Sequence, residues 1–495
     1  MKILLILPPT AEKPEYREPP LGLLYVGSAL TRNGYKVDIL DLQLEYISLE
    51  KILMLIKKNN YEVIGFGGIS TCYGYVKEAS KLIKDRFPHI HLIAGGILSS
   101  TYDLLLKNTP IEVICMKEGE ITGVNIINRL NEGKEEFEDI KGVAFKKDNK
   151  ILLTAPQPYI DNLDDIPIPN YDLLDMSKYL TNPMEDKFFL ANKECRRFYR
   201  KGMHAINMKT SRGCINACTF CYRHFKGHRQ HSVRYVIEHI KYLQSKFNIY
   251  FVRFGDELFT QNRQWVIDFC TALVKESIHI YFIIHGVRTD NVDLELMQYL
   301  KKAGCVTVFV GFESGSQIIL DEMRKNISVE KNIEAIKTIK NSGVDVLTQI
   351  VIGMPTETTK TIEETKDALL KTGVTFDRIA IGYAQAYPMT WLWNYALREN
   401  LINDPEDYLE KVGKSTEYLL NYTKAPFEEW RRWKNYIYQE VIKNQFKNRN
   451  WIFKFMMIKS HKFRWAYIYW KRYGIKMFFK KAFSFLLKKI TRTIR

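Results

Sequence analysis

Apolar residues over the first 150 positions come in short runs that alternate with amphipathic stretches. Lys2–Leu7, Lys36–Asp41, Val63–Gly68, His91–Gly96 and Ile111–Met116 read as strands. Between them Leu21–Asn33, Leu53–Lys58 and Tyr75–Phe87 space their apolar residues as helices do, and another helix follows Glu118-Gly119-Glu120. This β-α repetition predicts an α/β fold with a doubly wound parallel sheet, whose ligands bind beyond the carboxyl ends of the strands. Gly67-Gly68 and Gly95-Gly96 fall at two of those ends. They are either ordinary tight turns or places where a ligand meets the backbone. Ala144–Thr154 reads as a hairpin turning at Asp148-Asn149, and Asp161–Tyr171, with two prolines among acids, as the way out of a first domain.

A second series supplies strands at Ala205–Lys209, Tyr250–Phe254, Ile278–His285, Thr307–Gly311, Val344–Ile352 and Arg378–Gln385, separated by helical stretches such as Val233–Phe247 and Trp265–Glu276. Six such units predict a partial (β/α)6 barrel of TIM type, with its site at the C-terminal strand ends. After about Trp391 the pattern turns mostly helical. The expected division is a first domain over 1–155, a linker over 156–200, a barrel over 201–390 and a helical C-terminal region over 391–495.

Composition adds two facts to this outline. Of 495 residues, 46 % are hydrophobic and 26 % charged, which supports large cores and excludes a disordered or collagen-like chain. The net charge of +17 is concentrated at the end: residues 441–495 hold 16 Lys/Arg and no acid, and the rest is near balance. There Phe478, Phe479, Phe483, Leu486, Leu487 and Ile490 recur at helical spacing opposite Lys480, Lys481, Lys488 and Lys489, with Trp451, Trp465 and Trp470 upstream. Such a helix is expected to lie on an anionic membrane surface. Packing on the barrel and nucleic-acid binding are the alternatives, and no nucleic-acid partner is expected. Met1–Leu7 is too short for a secretory signal and runs into Pro8-Pro9, and no run of about 18 apolar residues occurs. The expected location is the cytoplasm, with peripheral contact at the inner face of the cytoplasmic membrane.

Eight cysteines are scattered except for one group, and in a long chain such a group signals metal or redox chemistry rather than disulfides. It lies in Ser211-Arg212-Gly213-Cys214-Ile215-Asn216-Ala217-Cys218-Thr219-Phe220-Cys221-Tyr222, in the loop leaving the first barrel strand. Thiolates are the soft ligands of iron–sulfur clusters, and a cubane normally takes four. Three close cysteines can cap three irons and leave the fourth open for a substrate. Structural zinc, with His224 or His228 as a fourth ligand, is the competing reading. Cys195 and Cys305 have no role beyond core packing.

The C-x3-C-x2-C loop with its following aromatic residue resembles the signature of the radical S-adenosylmethionine (SAM) superfamily. The resemblance implies that Cys214, Cys218 and Cys221 hold a 4Fe–4S cluster and that SAM chelates the open iron. Reductive cleavage would then give a 5′-deoxyadenosyl radical that takes hydrogen from an unactivated carbon. Gly255-Asp256-Glu257 resembles the family's Gly-Gly-Glu segment, which holds the SAM amino group. Phe254 stands at the first Gly position, so either Asp256 or Glu257 could do that work. Val310-Gly311-Phe312-Glu313-Ser314-Gly315 resembles the segment that contacts ribose and carboxylate. Ile352-Gly353-Met354-Pro355-Thr356-Glu357 resembles the adenine-contacting segment, and Tyr222 would lie near the adenine. The resemblance covers roughly residues 200–390.

Leu7-Pro8-Pro9, Pro19-Pro20-Leu21-Gly22-Leu23, Val37–Asp41, Ala94-Gly95-Gly96 and Lys117-Glu118-Gly119-Glu120 resemble, in order, the cobalamin-binding domain fused to one large radical SAM subclass. That subclass includes hopanoid methylases and the anaerobic magnesium-protoporphyrin monomethyl ester cyclase. It implies that the backbone around Ser70-Thr71, Gly95-Gly96 and Glu118-Gly119 cradles a corrin. No D-x-H-x-x-G segment is present, and His89 and His91 are the first domain's only histidines. A vestigial domain without cofactor is the alternative. The expected activity is cobalamin-dependent C-methylation of a lipid, isoprenoid or tetrapyrrole-like substrate, with a flavodoxin or ferredoxin as electron donor. Radical cyclisation, C–C coupling and cluster-based sensing without turnover are the alternatives.

Overall fold

The computed structural model describes residues 1–11, 17–45, 47–449, 456–458, 464 and 467. The amphipathic helix expected near the C-terminus lies outside the described residues. The chain forms two compact units, each assembled from three stretches. One joins Met1–Thr181, Ile206–Ile240 and Gln385–Leu420; the other joins Asn182–Ala205, Lys241–Ala384 and Asn421 onward.

The first unit is built on β1 (Lys2–Leu7), β2 (Lys36–Asp41), β3 (Val63–Gly68), β4 (His91–Gly96), β5 (Val113–Cys115), β6 (Val143–Lys147) and β7 (Lys150–Leu153). Their order is β2-β1-β3-β4-β5-β6-β7. The first five are parallel and the last two antiparallel. Asp148 and Asn149 both take positive φ, 48° and 61°, the backbone a two-residue hairpin turn needs. Strand order reverses between β1 and β3, the place where doubly wound sheets open a ligand crevice at their carboxyl ends. The chain then forms β8 (His204–Met208) and a short ladder of β9 (Ser211–Arg212) with β10 (Arg229–Gln230).

The second unit carries β11 (Ile249–Phe254), β12 (Tyr281–Val287), β13 (Cys305–Glu313), β14 (Asp345–Ile352) and β15 (Ile379–Tyr383). These are parallel neighbours in a sheet of order β15-β14-β13-β12-β11-β8. Helices Arg263–Lys275, Leu294–Lys302, Val329–Ser342 and Thr359–Thr372 separate successive strands. This is the partial barrel that the repeat predicts.

The barrel floor comes from Asn182–Ala205, much of which reads as linker in the sequence. Phe188, Phe189 and Cys195 pack with Phe251, Ile283, Val306, Phe309 and Leu347 in one buried cluster. Asp186 caps helix Lys187–Ala191, accepting from the N–H groups of Phe188 and Phe189 at 2.8 and 3.2 Å. Its other oxygen meets Arg253 Nε at 2.8 Å, both side chains being fully buried. Helices Trp391–Arg398, Pro405–Lys414 and Phe427–Gln445 complete the described chain.

Candidate active site

The three grouped cysteines lie on a hairpin clasped at its base by β9 and β10. Cys214 is bridged to Lys226. Gly213 takes φ +87°, and a Cβ there would stand 2.5 Å from the Gly227 carbonyl oxygen. Only glycine lets the two strands close so tightly. Cys214 and Cys218 are half-buried and Cys221 is exposed. Cys214 Sγ accepts from the Asn216 N–H and from Asn216 Nδ2, each at 3.4 Å. Cys221 N donates to the Cys218 carbonyl at 3.3 Å, so these two share a turn, and Leu392 N donates to the Thr219 carbonyl at 3.1 Å. Among the described residues no three His, Cys, Asp or Glu side chains gather around a single ion position.

The other five cysteines are buried. Burial pushes the Cys72 thiol up to about 11 and those of Cys115 and Cys270 to about 12. Cys195 and Cys305 are raised too, again by burial. These are core thiols held neutral, and the accessible thiols are the three of the hairpin.

The hairpin is fastened to the loop after β5 by charge. The Glu118 carboxylate accepts from Arg212 Nη1 at 2.9 Å, Arg229 Nη1 at 3.0 Å and the Ile160 N–H at 2.8 Å. Its side chain is 2 % exposed and each arginine's 13 %. Arg212 Nη2 also reaches Glu120 at 2.6 Å, and Lys117 Nζ donates to the His224 carbonyl at 2.9 Å. Arg229 lies 4.7 Å over the Tyr159 ring and Arg212 5.2 Å over that of Tyr25. Burial, then Lys117, drives His224 down to about 4, so this imidazole is neutral at pH 7. The Tyr222 hydroxyl bonds to Ser99, whose own hydroxyl donates to the Met116 carbonyl at 3.2 Å. Sequence reasoning missed Arg212 and Arg229. Their only signal is that they flank the cysteine motif, and their acid lies 94 and 111 residues away.

The carboxyl edge of the first sheet is bare. Gly96 is exposed with φ +70°, and a Cβ on it would stand 3.3 Å from the Gly68 carbonyl oxygen. Gly95 faces Cys115 on β5. Ser70 is buried, and the Thr71 carbonyl is closely covered by Gly413. A cavity of about 370 Å³ lies beside the start of helix Tyr73–Arg86, lined by Pro9, Thr71, Tyr75, Lys77 and Lys414 among others and not by Gly95 or Gly96. Gly119 answers to packing instead, since a Cβ there would stand 2.7 Å from Val26. His91 begins β4, at the end remote from Gly96, and its Nδ1 lies 2.8 Å from Glu112.

In the second unit the remaining segments all sit at C-terminal strand ends. After β11, Gly255 is half-buried, Asp256 is 3 % exposed and Glu257 is exposed. Gly286 on β12 has φ +67°, and a Cβ there would fall 2.7 Å from the Asp256 carbonyl oxygen, so this strand braces the turn. Phe254 packs among Phe259, Phe269 and Phe282. Glu313 ends β13 at φ +61°, beside a register shift, and pairs with Lys325 Nζ at 2.9 Å. Ser314 is wholly buried, 3.1 Å from the Thr365 hydroxyl. Gly353 follows β14 at φ +94° and donates its N–H to Glu357. Burial raises that carboxyl to about 8.

Both halves match known families. Residues 208–369 match the radical SAM superfamily and residues 9–127 the B12 binding domain. An uncharacterized methyltransferase of Pyrococcus horikoshii is 31 % identical over 411 residues, 81 % of this chain and 84 % of the relative. The anaerobic magnesium-protoporphyrin IX monomethyl ester cyclase of Rubrivivax gelatinosus is 27 % identical over 356 residues, covering 70 % of this chain and 61 % of the cyclase. Among solved structures, the cobalamin-dependent SAM radical enzyme OxsB, with aqua-cobalamin and SAM bound, aligns at TM-score 0.62 and 21 % identity, over 83 % of this chain and 56 % of OxsB. A three-cysteine hairpin, a bare sheet edge of the corrin-binding type and these matches lead to one statement: the chain belongs to the radical SAM superfamily, as a cobalamin-dependent member of its methyltransferase branch that works with a 4Fe–4S cluster, SAM and cobalamin.

Proposed function

We propose that this enzyme transfers a methyl group to an unactivated carbon of a lipid, isoprenoid or tetrapyrrole-like small molecule. The observation that carries the reading is the pairing, within one compact unit, of an accessible three-thiol hairpin with a glycine-bare sheet edge. The cofactors, when bound, supply reductive SAM cleavage, hydrogen-atom abstraction and a cobalt-borne methyl group.

The chain's own residues divide the remaining work. Cys214, Cys218 and Cys221 would hold the cluster, since they are the cysteines that one open loop leaves accessible. Asp256 rather than Glu257 faces the SAM amino group, because it is the buried carboxylate of that turn. Glu313 positions SAM from a left-handed turn fixed by Lys325, and the buried Ser314 hydroxyl secures that backbone from behind. Gly353 would border the adenine from the turn after β14. Gly68, Gly95 and Gly96 would let the corrin approach the backbone, and His91 stands at the other end of β4. Thr71, under Gly413, contributes through its turn, and Glu118-Gly119 through its main chain.

A flavodoxin or ferredoxin is the proposed reductant. The basic segment 441–495 is the proposed peripheral membrane contact; no described helix is long and apolar enough to cross a membrane. Ring closure is the second reading, favoured by the cyclase relative.

The test is anaerobic incubation of cluster-reconstituted protein with methyl-deuterated SAM, cobalamin, reductant and lipid extract. Methyl transfer predicts 5′-deoxyadenosine, S-adenosylhomocysteine and a labelled product. 5′-Deoxyadenosine without S-adenosylhomocysteine would favour ring closure, and neither product from fully loaded enzyme and extract would defeat both readings.

A further inference from the structure

Glu118 lies on the loop that the cobalamin reading assigns to the corrin cradle, yet its side chain points elsewhere. Both carboxylate oxygens are occupied: Arg229 reaches each at 3.0 Å, Arg212 takes one at 2.9 Å and the Ile160 N–H the other at 2.8 Å. The two arginines belong to opposite strands of the clasp that closes the cysteine hairpin. A single buried carboxylate therefore grips both roots of that hairpin at once. Lys117 adds a second fastening to the His224 carbonyl, and Tyr222 a third through Ser99 on the segment after Gly96.

This arrangement has two mechanical consequences. The hairpin cannot shift by an ångström without breaking charge-assisted hydrogen bonds in a dry setting, where such bonds are strong. The 117–120 loop cannot shift without dragging the hairpin. A free energy of coupling carried between two ligand sites by such a fastening is reciprocal.

We infer that Glu118 is a positioning residue which couples the two cofactor sites, so that an assembled cluster on the hairpin strengthens cobalamin binding at the sheet edge, and the reverse. The inference rests on the proposed placement of both cofactors. It assigns the Glu118 side chain no contact with either. Loading the hairpin fixes its tip as well as its roots, so the arginines, Glu118 and the 117–120 loop are held in the arrangement seen here.

The experiment titrates hydroxocobalamin by absorbance into iron-free and cluster-reconstituted protein, anaerobically. For wild type the two dissociation constants should differ by about five-fold or more, in favour of the reconstituted form. In Glu118→Gln the ratio should fall to about one, with iron and sulfide content as in wild type. Arg212→Lys keeps the charge but loses the fork that reaches Glu118 and Glu120 together, and should give an intermediate ratio. It decides the matter if Glu118→Gln does not fold. A merely structural role would weaken both constants alike and lower iron loading, and would leave the ratio unchanged. A ratio of about one in wild type, or an unchanged ratio in variants that load both cofactors, overturns the inference alone. Hydroxocobalamin that binds neither form of wild type overturns the cofactor placement and the inference with it.

Discussion

The cysteine hairpin and the barrel floor each hold a buried carboxylate against arginine, and they use it in opposite ways. At the floor, Asp186 and Arg253 are sealed inside an aromatic cluster, and the acid also caps the helix that carries Phe188 and Phe189. At the hairpin, Glu118 meets two arginines that keep 13 % of their side chains in water, and the cysteines beyond them are accessible. The floor's pair is surrounded by packing that depends on it. The hairpin's pair holds a loop whose sulfurs stay accessible. Burying a charge pair thus serves shape in one place and placement in the other.

Breaking each region should separate folding from chemistry. The largest effect is expected at Cys218→Ala, which should abolish 5′-deoxyadenosine formation and leave sub-stoichiometric iron. Its circular-dichroism spectrum should match wild type, because a half-exposed thiol supports no core. Asp186→Ala should cost about 3–5 kcal/mol of stability in urea titration, since it strands a buried guanidinium; a cost under 1 kcal/mol would show that water reaches the floor. Gly213→Ala should cost about 1–3 kcal/mol, through strain at positive φ and the clash with Gly227. Its damage should appear in iron loading well before it appears in the melting curve.

The smallest effect concerns Glu357. Its carboxyl is raised by burial from about 4.5 to about 8. The folded state therefore holds a proton that the unfolded chain releases, so the contribution is full below about pH 4.5 and is lost as pH climbs through about 8. Melting temperatures between pH 5 and 8.5 should decline in wild type, and Glu357→Gln should flatten that decline. An equal decline in both would place the titrating group elsewhere.

The legible parts of the fold were those where local pattern and tertiary context agree. β1 to β4 occupy the predicted residues because apolar runs between glycines and charges leave one choice of register. The helix expected at Leu53–Lys58 spans Leu49–Asn59, because its first turn, Leu49-Glu50-Lys51-Ile52, is too mixed to read as periodic. The strand expected at Ile278–His285 is Tyr281–Val287, since Ile278 and Ile280 are buried ahead of the strand. In the site, the cysteine spacing and the strand-end glycines were readable because backbone geometry demands those residue types. The Glu118 fastening was not, because an ion pair between distant segments leaves no periodicity. That Asp256 is buried and Glu257 exposed was likewise illegible, because adjacent acids do not reveal burial.

The interleaving of the chain bears on modularity. The two family matches, 9–127 and 208–369, invite a division of the gene into two portable pieces. The first compact unit does not respect that division, since it takes 206–240 and 385–420 from beyond the first match. An N-terminal fragment ending near residue 181 would lose both arginines that neutralise Glu118, together with the Gly413 cover over Thr71. Transplanting the corrin-binding half alone would carry away a surface built to be finished by later sequence, so recombination among relatives is expected to preserve the pair as one heritable block.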